Sequence, residues 1–134
     1  MLVRKAVDLS LSIDEHTQIY PGDPAVRLAP AATIDADGFN ILSVEMGSQS
    51  GTNCDAPDHF LPDGARIDET PDDSHPGAGY PVHKLIAAAG GVIVENLTNI
   101  DLIDFPRPLI TVFPLKLTGA DGAPTRAVAI DLSP

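Results

Sequence analysis

Apolar and polar residues alternate along several parts of the chain, and clusters of turn-forming residues separate those parts. The alternation is clearest over residues 40–46, where Leu42, Val44 and Met46 share one face and polar residues share the other. A period of two residues predicts a β-strand. Similar apolar runs predict five more strands, at residues 3–11, 25–28, 92–97, 109–117 and 126–132.

A helical pattern occurs in one segment, residues 81–89. Pro81 suits the first helical turn, Leu85 and Ile86 precede three alanines, and Gly90 is a stop signal. The predicted fold class is therefore α+β, a strand-rich domain with one clear helix.

Turn-forming residues predict the connections between these elements. Asp-Ala-Asp-Gly at residues 35–38 and Gly-Ala-Asp-Gly at residues 119–122 are hairpin signals. Residues 100–105 are expected to form a short turn or 3₁₀ segment. Residues 61–79 are rich in Pro, Gly and Asp, which predicts a surface loop or flap within a single domain of residues 1–134.

Composition narrows the class of protein. Hydrophobic residues make up 43% of the chain, enough for a packed core, and because aromatic residues make up only 4% that core must be aliphatic. The net charge of −11 argues against nucleic acid and anionic membrane surfaces as partners. No apolar run approaches the ~18 residues of a membrane span. A signal-peptide pattern is absent, and Cys54 alone cannot form an internal disulfide. A cytoplasmic location is therefore expected.

Candidate chemistry is concentrated in residues 49–60, which contain Gly, Asn, Asp and Pro and are predicted to form a turn. Asp55 and His59 in this stretch could ligate a divalent metal ion or act as an acid and base. The alternative is a turn-capping aspartate beside a surface histidine. Cys54 is interpreted as a small buried residue, not as a nucleophile.

A second candidate pair is His83, in the first turn of the predicted helix, and Glu95, inside an otherwise apolar strand. Carboxylates are rarely buried without a partner, so Glu95 either lies on a solvated face or has one. The short turn between helix and strand would let the two elements lie side by side. His16 and His75 occur in polar loops and are expected to be exposed. The sequence contains no Gly-rich nucleotide motif and no serine-hydrolase elbow.

The stretch from residue 49 resembles the His-x-Gly-Thr-His-x-Asp-x-Pro-x-His signature of the cyclase family, which includes bacterial kynurenine formamidase and isatin hydrolase. Three further segments, at residues 7–23, 83–97 and 114–129, are also similar to the family. The resemblance implies the family's swivelling β/β/α-like fold in a reduced form. The signature positions that match are Gly51, Thr52, Asp55, Pro57 and His59.

The two signature histidine ligands of the family correspond to Gln49 and Asn53 in this chain. Carboxamides are poor zinc ligands, so the resemblance implies that one metal position is lost. Asp55 matches the family's metal-bridging aspartate. With His83 and Glu95 it could still hold a single Zn or Mn ion, whose fourth position would be open for water.

The resemblance implies roles for other residues as well. His59 matches the proton-transfer histidine of the family, and Tyr20, Gly51, Thr52 and Phe60 are expected to contact the substrate. Relatives carry a long middle section before the helix that is almost absent here. Exposed apolar surface, and hence a homodimer or larger homo-oligomer, is therefore expected.

Three functions remain open at this point. In a metal-free enzyme without any cofactor, Gln49 and Asn53 would donate hydrogen bonds to an oxyanion. His59, Asp55 or Glu95 would then catalyse cyclisation, dehydration or isomerisation of a small molecule in a natural-product pathway. The second function is a metal-dependent hydrolase of amides or lactones. The third is a non-catalytic binding or assembly protein.

Overall fold

The computed structural model of the protein describes residues 2–69 and 81–132, without the side chains of residues 81 and 82. These ranges contain a strand-rich α+β fold, as the sequence predicts. The strands are β1 (Lys5–Asp8), β2 (Arg27–Ala32), β3 (Ile41–Glu45), β4 (Asn53–Asp55), β5 (Ile93–Glu95), β6 (Leu109–Pro114) and β7 (Gly122–Asp131), the helices are α1 (Ile34–Asp37) and α2 (Pro81–Ala88), and 3₁₀ turns occupy Pro57–His59 and Ile100–Leu102.

Strand β7 is the centre of the main sheet. It pairs antiparallel with β1, β4 and β6, and β4 pairs in turn with β5. Side chains alternate between the two faces of a strand, and the residues Ala123, Ala127 and Ala129 on one face of β7 are completely buried. Their small side chains leave room for larger residues from neighbouring elements.

Two apolar clusters form the core on that face of β7. Each contains one or two alanines of β7 and larger side chains from elsewhere, so the long strand joins them into one layer. The first consists of Val7, Leu9, Ala127 and Ala129 with Leu97, Ile103, Phe105 and Val112 packed against it, and the second of Cys54, Ala56, Ile67 and Ala123 with Val92, Val94 and Ala120.

Strands β2 and β3 form a separate two-stranded antiparallel hairpin. The hairpin predicted around residues 35–38 is confirmed, but its connection contains the short helix α1, which ends at Gly38 with a φ of +80°. A register shift lies between Pro30 and Ala32. Every residue of β3 is exposed, so the alternating pattern that predicted this strand does not bury one of its faces within the described part of the chain.

Several predicted boundaries are wrong. The strand predicted at 25–28 spans Arg27–Ala32, where an edge position and a register shift accommodate Pro30. The strand predicted at 126–132 begins at Gly122, inside the predicted turn. The largest error is β4: residues 53–55 were predicted to lie in a turn, yet they form a central strand between β5 and β7.

The helix predicted at 81–89 is confirmed as α2, and Gly90 follows it with a φ of +78°. This left-handed conformation suits glycine and ends the helix. Of the predicted loop at 61–79, residues 70–79 lie outside the described residues. Among the described residues, no helix is both long and apolar enough to cross a lipid bilayer.

Candidate active site

Strand β4 carries two polar residues of the site, and its partner strands β5 and β7 bury it from both sides. Asn53 lies opposite Glu95 of β5 and Pro124 of β7, and Asp55 is paired with Gly122 of β7. Asn53 and Asp55 are two residues apart, so their side chains share one face of the sheet while Cys54 points to the core. Both polar side chains are almost fully buried, with 0% exposure for Asn53 and 3% for Asp55.

Asp55, His83 and Glu95 form a candidate metal-binding group. They come from β4, α2 and β5, and one ligand atom from each lies within 4.8 Å of the other two. Nε2 of His83 is 3.7 Å from a carboxylate oxygen of Glu95. Helix α2 packs against the 3₁₀ turn at Pro57–His59, which follows β4, and β5 pairs with β4, so the three side chains converge at β4.

The pKa of Asp55 is raised to about 6, first by burial and then by the negative charge of Glu95. The charges of His59 and His83 and the hydrogen bond from Asn53 act in the opposite direction. The neighbouring positive charges therefore do not fully compensate the negative charge of Asp55.

Gln49 and Asn53 form a hydrogen-bonded carboxamide chain beside this group. The side-chain amide of Asn53 donates to Oε1 of Gln49 at 2.5 Å and to Oδ1 of Asp55 at 2.8 Å. Asn96, which the sequence did not single out, donates from Nδ2 to Oδ1 of Asn53 at 3.1 Å and to Glu95 at 3.3 Å. The chain thus holds two members of the metal-binding group in place.

Asp121 is a second carboxylate at the site, and the sequence did not predict its role. One of its oxygens, Oδ2, is 2.6 Å from Nδ1 of His59 and accepts a hydrogen bond from Gln49 at 3.1 Å. The hydroxyl of Ser48 donates to the other oxygen at 2.7 Å. Although burial raises the pKa of Asp121, the hydrogen bonds from Ser48, Gln49 and His59 hold it below its ordinary value.

Gly122 is the one residue in the sequence that could have indicated that Asp121 belongs to the site. A Cβ at this position would collide with Nε2 of Gln49 and would lie 2.7 Å from the backbone oxygen of Cys54. The absence of a side chain therefore lets Gln49 pack over β7 beside Asp121. The sequence offered a glycine after an aspartate, which also fits an ordinary hairpin turn.

Phe60 lies between the two histidines of the site. Its ring centroid is 4.3 Å from that of His59, in a nearly perpendicular arrangement, and 4.9 Å from that of His83. The proton-transfer candidate and the metal-ligand candidate are therefore packed against one aromatic ring.

Three residues that were expected to contact the substrate are either buried or have no described contact with the site. Thr52 is 1% exposed, and its hydroxyl donates to the backbone oxygen of Asn96 and accepts from the backbone N–H of Leu11. Gly51 is buried with a φ of +67°. Tyr20 is 66% exposed, and no hydrogen bond or ring contact among the described residues connects it to the site. Their contact with substrate stays a prediction.

The remaining candidates do not join the site. Cys54 is buried, and burial followed by the charge of Asp55 raises the pKa of its thiol to about 11. Since the thiolate is the nucleophilic form, this agrees with a small buried residue. His16 is exposed, and His75 lies outside the described residues.

The fold and the site together define a class of protein, and the sequence comparison gives the same class. The model of the Cyclase family matches residues 7–101, so the chain belongs to the cyclase family. This confirms the resemblance found in the signature stretch.

Particular relatives extend this result. The chain is similar to kynurenine formamidase of Geobacillus thermodenitrificans (strain NG80-2), with 28% identity over 105 residues, which are 78% of this chain and 49% of the relative. The chain thus spans about half the length of that relative.

Solved structures share the fold. Isatin hydrolase A from Labrenzia aggregata, bound to benzyl benzoate, matches with a TM-score of 0.80 and 14% identity, covering 96% of this chain and 94% of that one. A structure described as a potential metal-dependent hydrolase with cyclase activity matches with a TM-score of 0.71 and 20% identity, covering 97% and 99% of the two chains.

Proposed function

We propose that the protein is a metal-dependent hydrolase that opens an amide or lactone bond in a small cyclic or acylated molecule. The observation that carries this proposal is the Asp55, His83 and Glu95 group, whose ligand atoms all lie within 4.8 Å of one another. Membership of the cyclase family and the similarity to a kynurenine formamidase support it.

The donor set fits a single divalent metal ion. Carboxylates and imidazole are donors that Zn²⁺ and Mn²⁺ accept in proteins. Asp55 is buried next to the charge of Glu95, and a cation held between them would offset that repulsion. When bound, such an ion polarises a carbonyl group and activates water for attack.

His59 is the proposed proton-transfer residue. Its side chain is 31% exposed, so the imidazole can reach a bound substrate, and Phe60 separates it from His83. In hydrolysis, His59 would take a proton from the attacking water and return it to the leaving nitrogen or oxygen. The histidine is therefore regenerated in each cycle.

The carboxamide chain favours a second function, the metal-free cyclisation, dehydration or isomerisation of a natural product. In that reaction Gln49 and Asn53 would donate hydrogen bonds to a developing oxyanion. Their amide groups already donate to Asp55 and Asp121, and those bonds would have to be exchanged for bonds to the substrate. Hydrolysis requires no such exchange, and we rank it first.

Metal titration combined with an activity assay tests the proposal. Chelator-treated protein should bind about one Zn²⁺ or Mn²⁺ per chain in calorimetry, and hydrolysis of N-formylkynurenine or isatin should depend on the added metal. Asp55→Asn should lose both properties. Asp101→Asn, which removes an exposed carboxylate outside the site, should keep both.

Two results would overturn the proposal. Zn²⁺ or Mn²⁺ binding no tighter in the natural sequence than in Asp55→Asn would remove the metal site. Turnover of either probe by the chelated protein, abolished by His59→Ala or Asn53→Ala, would replace it with the metal-free enzyme. A protein without metal binding or turnover would match the third function, a binding or assembly protein.

A homodimer is part of the proposal. The β2–β3 hairpin and its connection expose five large apolar side chains by more than half, and a second copy of the chain would remove them from water. If the hairpin is the interface, light scattering should find a dimer that Leu42→Glu converts to a monomer; a monomeric natural sequence would contradict this. The five residues are Ile34, Phe39, Ile41, Leu42 and Val44.

A cytoplasmic location also belongs to the proposal. The single cysteine, Cys54, is buried as a free thiol, which suits a reducing compartment. Cell fractionation should recover the protein with cytoplasmic marker enzymes, and its recovery in an extracytoplasmic fraction would contradict the proposal.

A further inference from the structure

We propose that Asp121 is the positioning residue of the site, which fixes the His59 ring so that Nε2 faces the substrate. This inference rests on the proposed function, because it assigns a role within the same hydrolysis. Asp121 lies outside residues 7–101, the part of the chain that the family model matches.

The contact between the two side chains determines which ring nitrogen is free. Oδ2 of Asp121 lies 2.6 Å from Nδ1 of His59. An ionised carboxylate can only accept hydrogen bonds, so Nδ1 must carry the proton in the neutral ring. The lone pair then lies on Nε2, the nitrogen that can accept a proton from water.

Gln49 shares the Asp121 carboxylate with the ring. Its Nε2 is 3.3 Å from Nδ1 of His59 and 3.1 Å from Oδ2 of Asp121. An amide N–H cannot donate to a ring nitrogen that is itself protonated. The amide and the ring therefore both donate to the same carboxylate oxygen, a geometry in which each donor is satisfied.

Asp121 is itself held from several sides. Ser48 donates to its second oxygen at 2.7 Å, and its backbone oxygen accepts a hydrogen bond from the backbone N–H of Ala56 at 2.8 Å. Ala56 lies three residues before His59. The backbone bond joins the turn before β7 to the segment that carries the histidine, so the backbone itself holds the two residues next to each other.

The hydrogen bonds that hold the pKa of Asp121 below its ordinary value keep this residue ionised at neutral pH. An ionised carboxylate beside Nδ1 also stabilises the imidazolium that forms when Nε2 takes a proton. Asp121 thus acts on the reaction through His59 and without contact to the substrate.

Kinetic measurements test the positioning role. In the metal-loaded protein, Asp121→Asn and Asp121→Ala should lower kcat for N-formylkynurenine or isatin by roughly 10²-fold or more, the range of general acid–base catalysis. KM and Zn²⁺ affinity should stay within about threefold, because Asp121 lies outside the metal-binding group. Ser48→Ala, which loosens Asp121, should give a smaller loss, and Asp101→Asn should give none.

The tautomer of His59 provides a readout that does not depend on activity. In ¹⁵N NMR spectra of the metal-free protein above pH 8, His59 should carry its proton on Nδ1. Asp121→Ala should move the proton toward Nε2, the form that free imidazole side chains prefer. A His59 with Nε2 protonated in the natural sequence, or the same tautomer in both proteins, would overturn the proposal.

The two proposals fail in different ways. Absence of metal binding and of turnover in the natural sequence would remove the proposed hydrolase, while the NMR experiment would still decide whether Asp121 orients His59. Normal kcat in a folded, metal-binding Asp121→Ala variant would remove the positioning role and leave the hydrolase intact.

Discussion

The β2–β3 hairpin and the β4–β7 pair are both antiparallel ribbons, but they differ in what surrounds them. The hairpin follows the alternating pattern of a strand closely, and all five residues of β3 are exposed. Strand β4 is only three residues long, too short for its alternation to predict a strand, and all three residues are buried. Alternation therefore predicted the strand that faces solvent, and missed the strand that carries the candidate chemistry.

The difference comes from the neighbours of each strand. A strand with one partner and two open faces needs only a suitable local sequence. Strand β4 lies between two partners, and its polar side chains are paired inside the protein. Substitutions made in matched pairs, one in the hairpin and one in β4 or a strand that pairs with it, should show this contrast.

The largest contrast is expected for metal binding. Glu95→Gln, at the end of β5, should weaken Zn²⁺ binding by roughly 10²-fold or more, since even outer contacts of metal ligands contribute about 10- to 100-fold. Glu45→Gln, at the end of β3, should leave it unchanged. Calorimetric titration checks both, and equal effects of the two substitutions would remove the distinction between the ribbons.

Core packing should give the next largest contrast. Ala127 of β7 is completely buried, so Ala127→Leu should overfill the core and lower the free energy of unfolding by about 1–3 kcal/mol. Ala29 of β2 is exposed, and Ala29→Leu should change it by less than about 0.5 kcal/mol. Urea unfolding measures both values. Equal destabilisation would mean that a partner covers the face of the hairpin that carries Ala29 and Ser43, opposite the face of Leu42 and Val44.

The pH dependence of stability should separate the ribbons further. The pKa of Asp55 in the folded protein is about 6, above the ordinary value of 3.8. Between these two values the folded state holds the proton more tightly than the unfolded state, so the metal-free protein loses stability as pH rises from about 4 to 6.

Asp55→Asn removes that loss. In the presence of chelator, the variant should be about 2–3 kcal/mol more stable than the natural sequence at pH 8, and should show little gain at pH 4. Ser43→Ala in the hairpin, which removes no ionisable group, should give a flat difference over the same range. Unfolding curves at several pH values would contradict this if the gain from Asp55→Asn were the same at pH 4 and pH 8.

The smallest effect is expected at the ion pair of the hairpin. Arg27 and Glu45 approach to 3.1 Å, but their side chains are 70% and 65% exposed. Exposed pairs of this kind contribute about 0–1 kcal/mol, so Arg27→Gln should lower the free energy of unfolding by less than about 0.5 kcal/mol. If Arg27→Gln lowered the free energy of unfolding by more than this, and if the loss did not change with salt concentration, the ion pair would be more buried than it is in the isolated chain.

These contrasts also show what could be predicted from the sequence. The α+β class, helix α2 and strand β3 follow from local patterns and turn residues, which depend on neighbours in the chain. The resemblance to the cyclase family implied the association of Asp55 with His83 and Glu95, whereas the residue pattern alone indicated only the His83–Glu95 pair. The structure brings the three together.

Other features depend on contacts that local patterns do not describe. Strand β4 is short and polar, and only its pairing with β5 and β7 makes it a strand. The pairing of Asp121 with His59 joins residues 62 positions apart. An aspartate before a glycine has the same appearance in an ordinary turn. No spacing rule distinguishes the two cases.

The length of β7 has a consequence for how the protein folds. Lys5 of β1 pairs with Asp131, and Asp55 of β4 pairs with Gly122. A chain still being synthesised can close the β2–β3 hairpin, an event of about 1–10 μs, but it cannot assemble the main sheet until residues 122–131 are available. Sheets built from such distant pairs fold over milliseconds to seconds. In a refolding experiment followed by pulsed hydrogen exchange, we therefore expect amides of β4 and β7 to gain protection together and late, so that the site is among the last parts of the molecule to form.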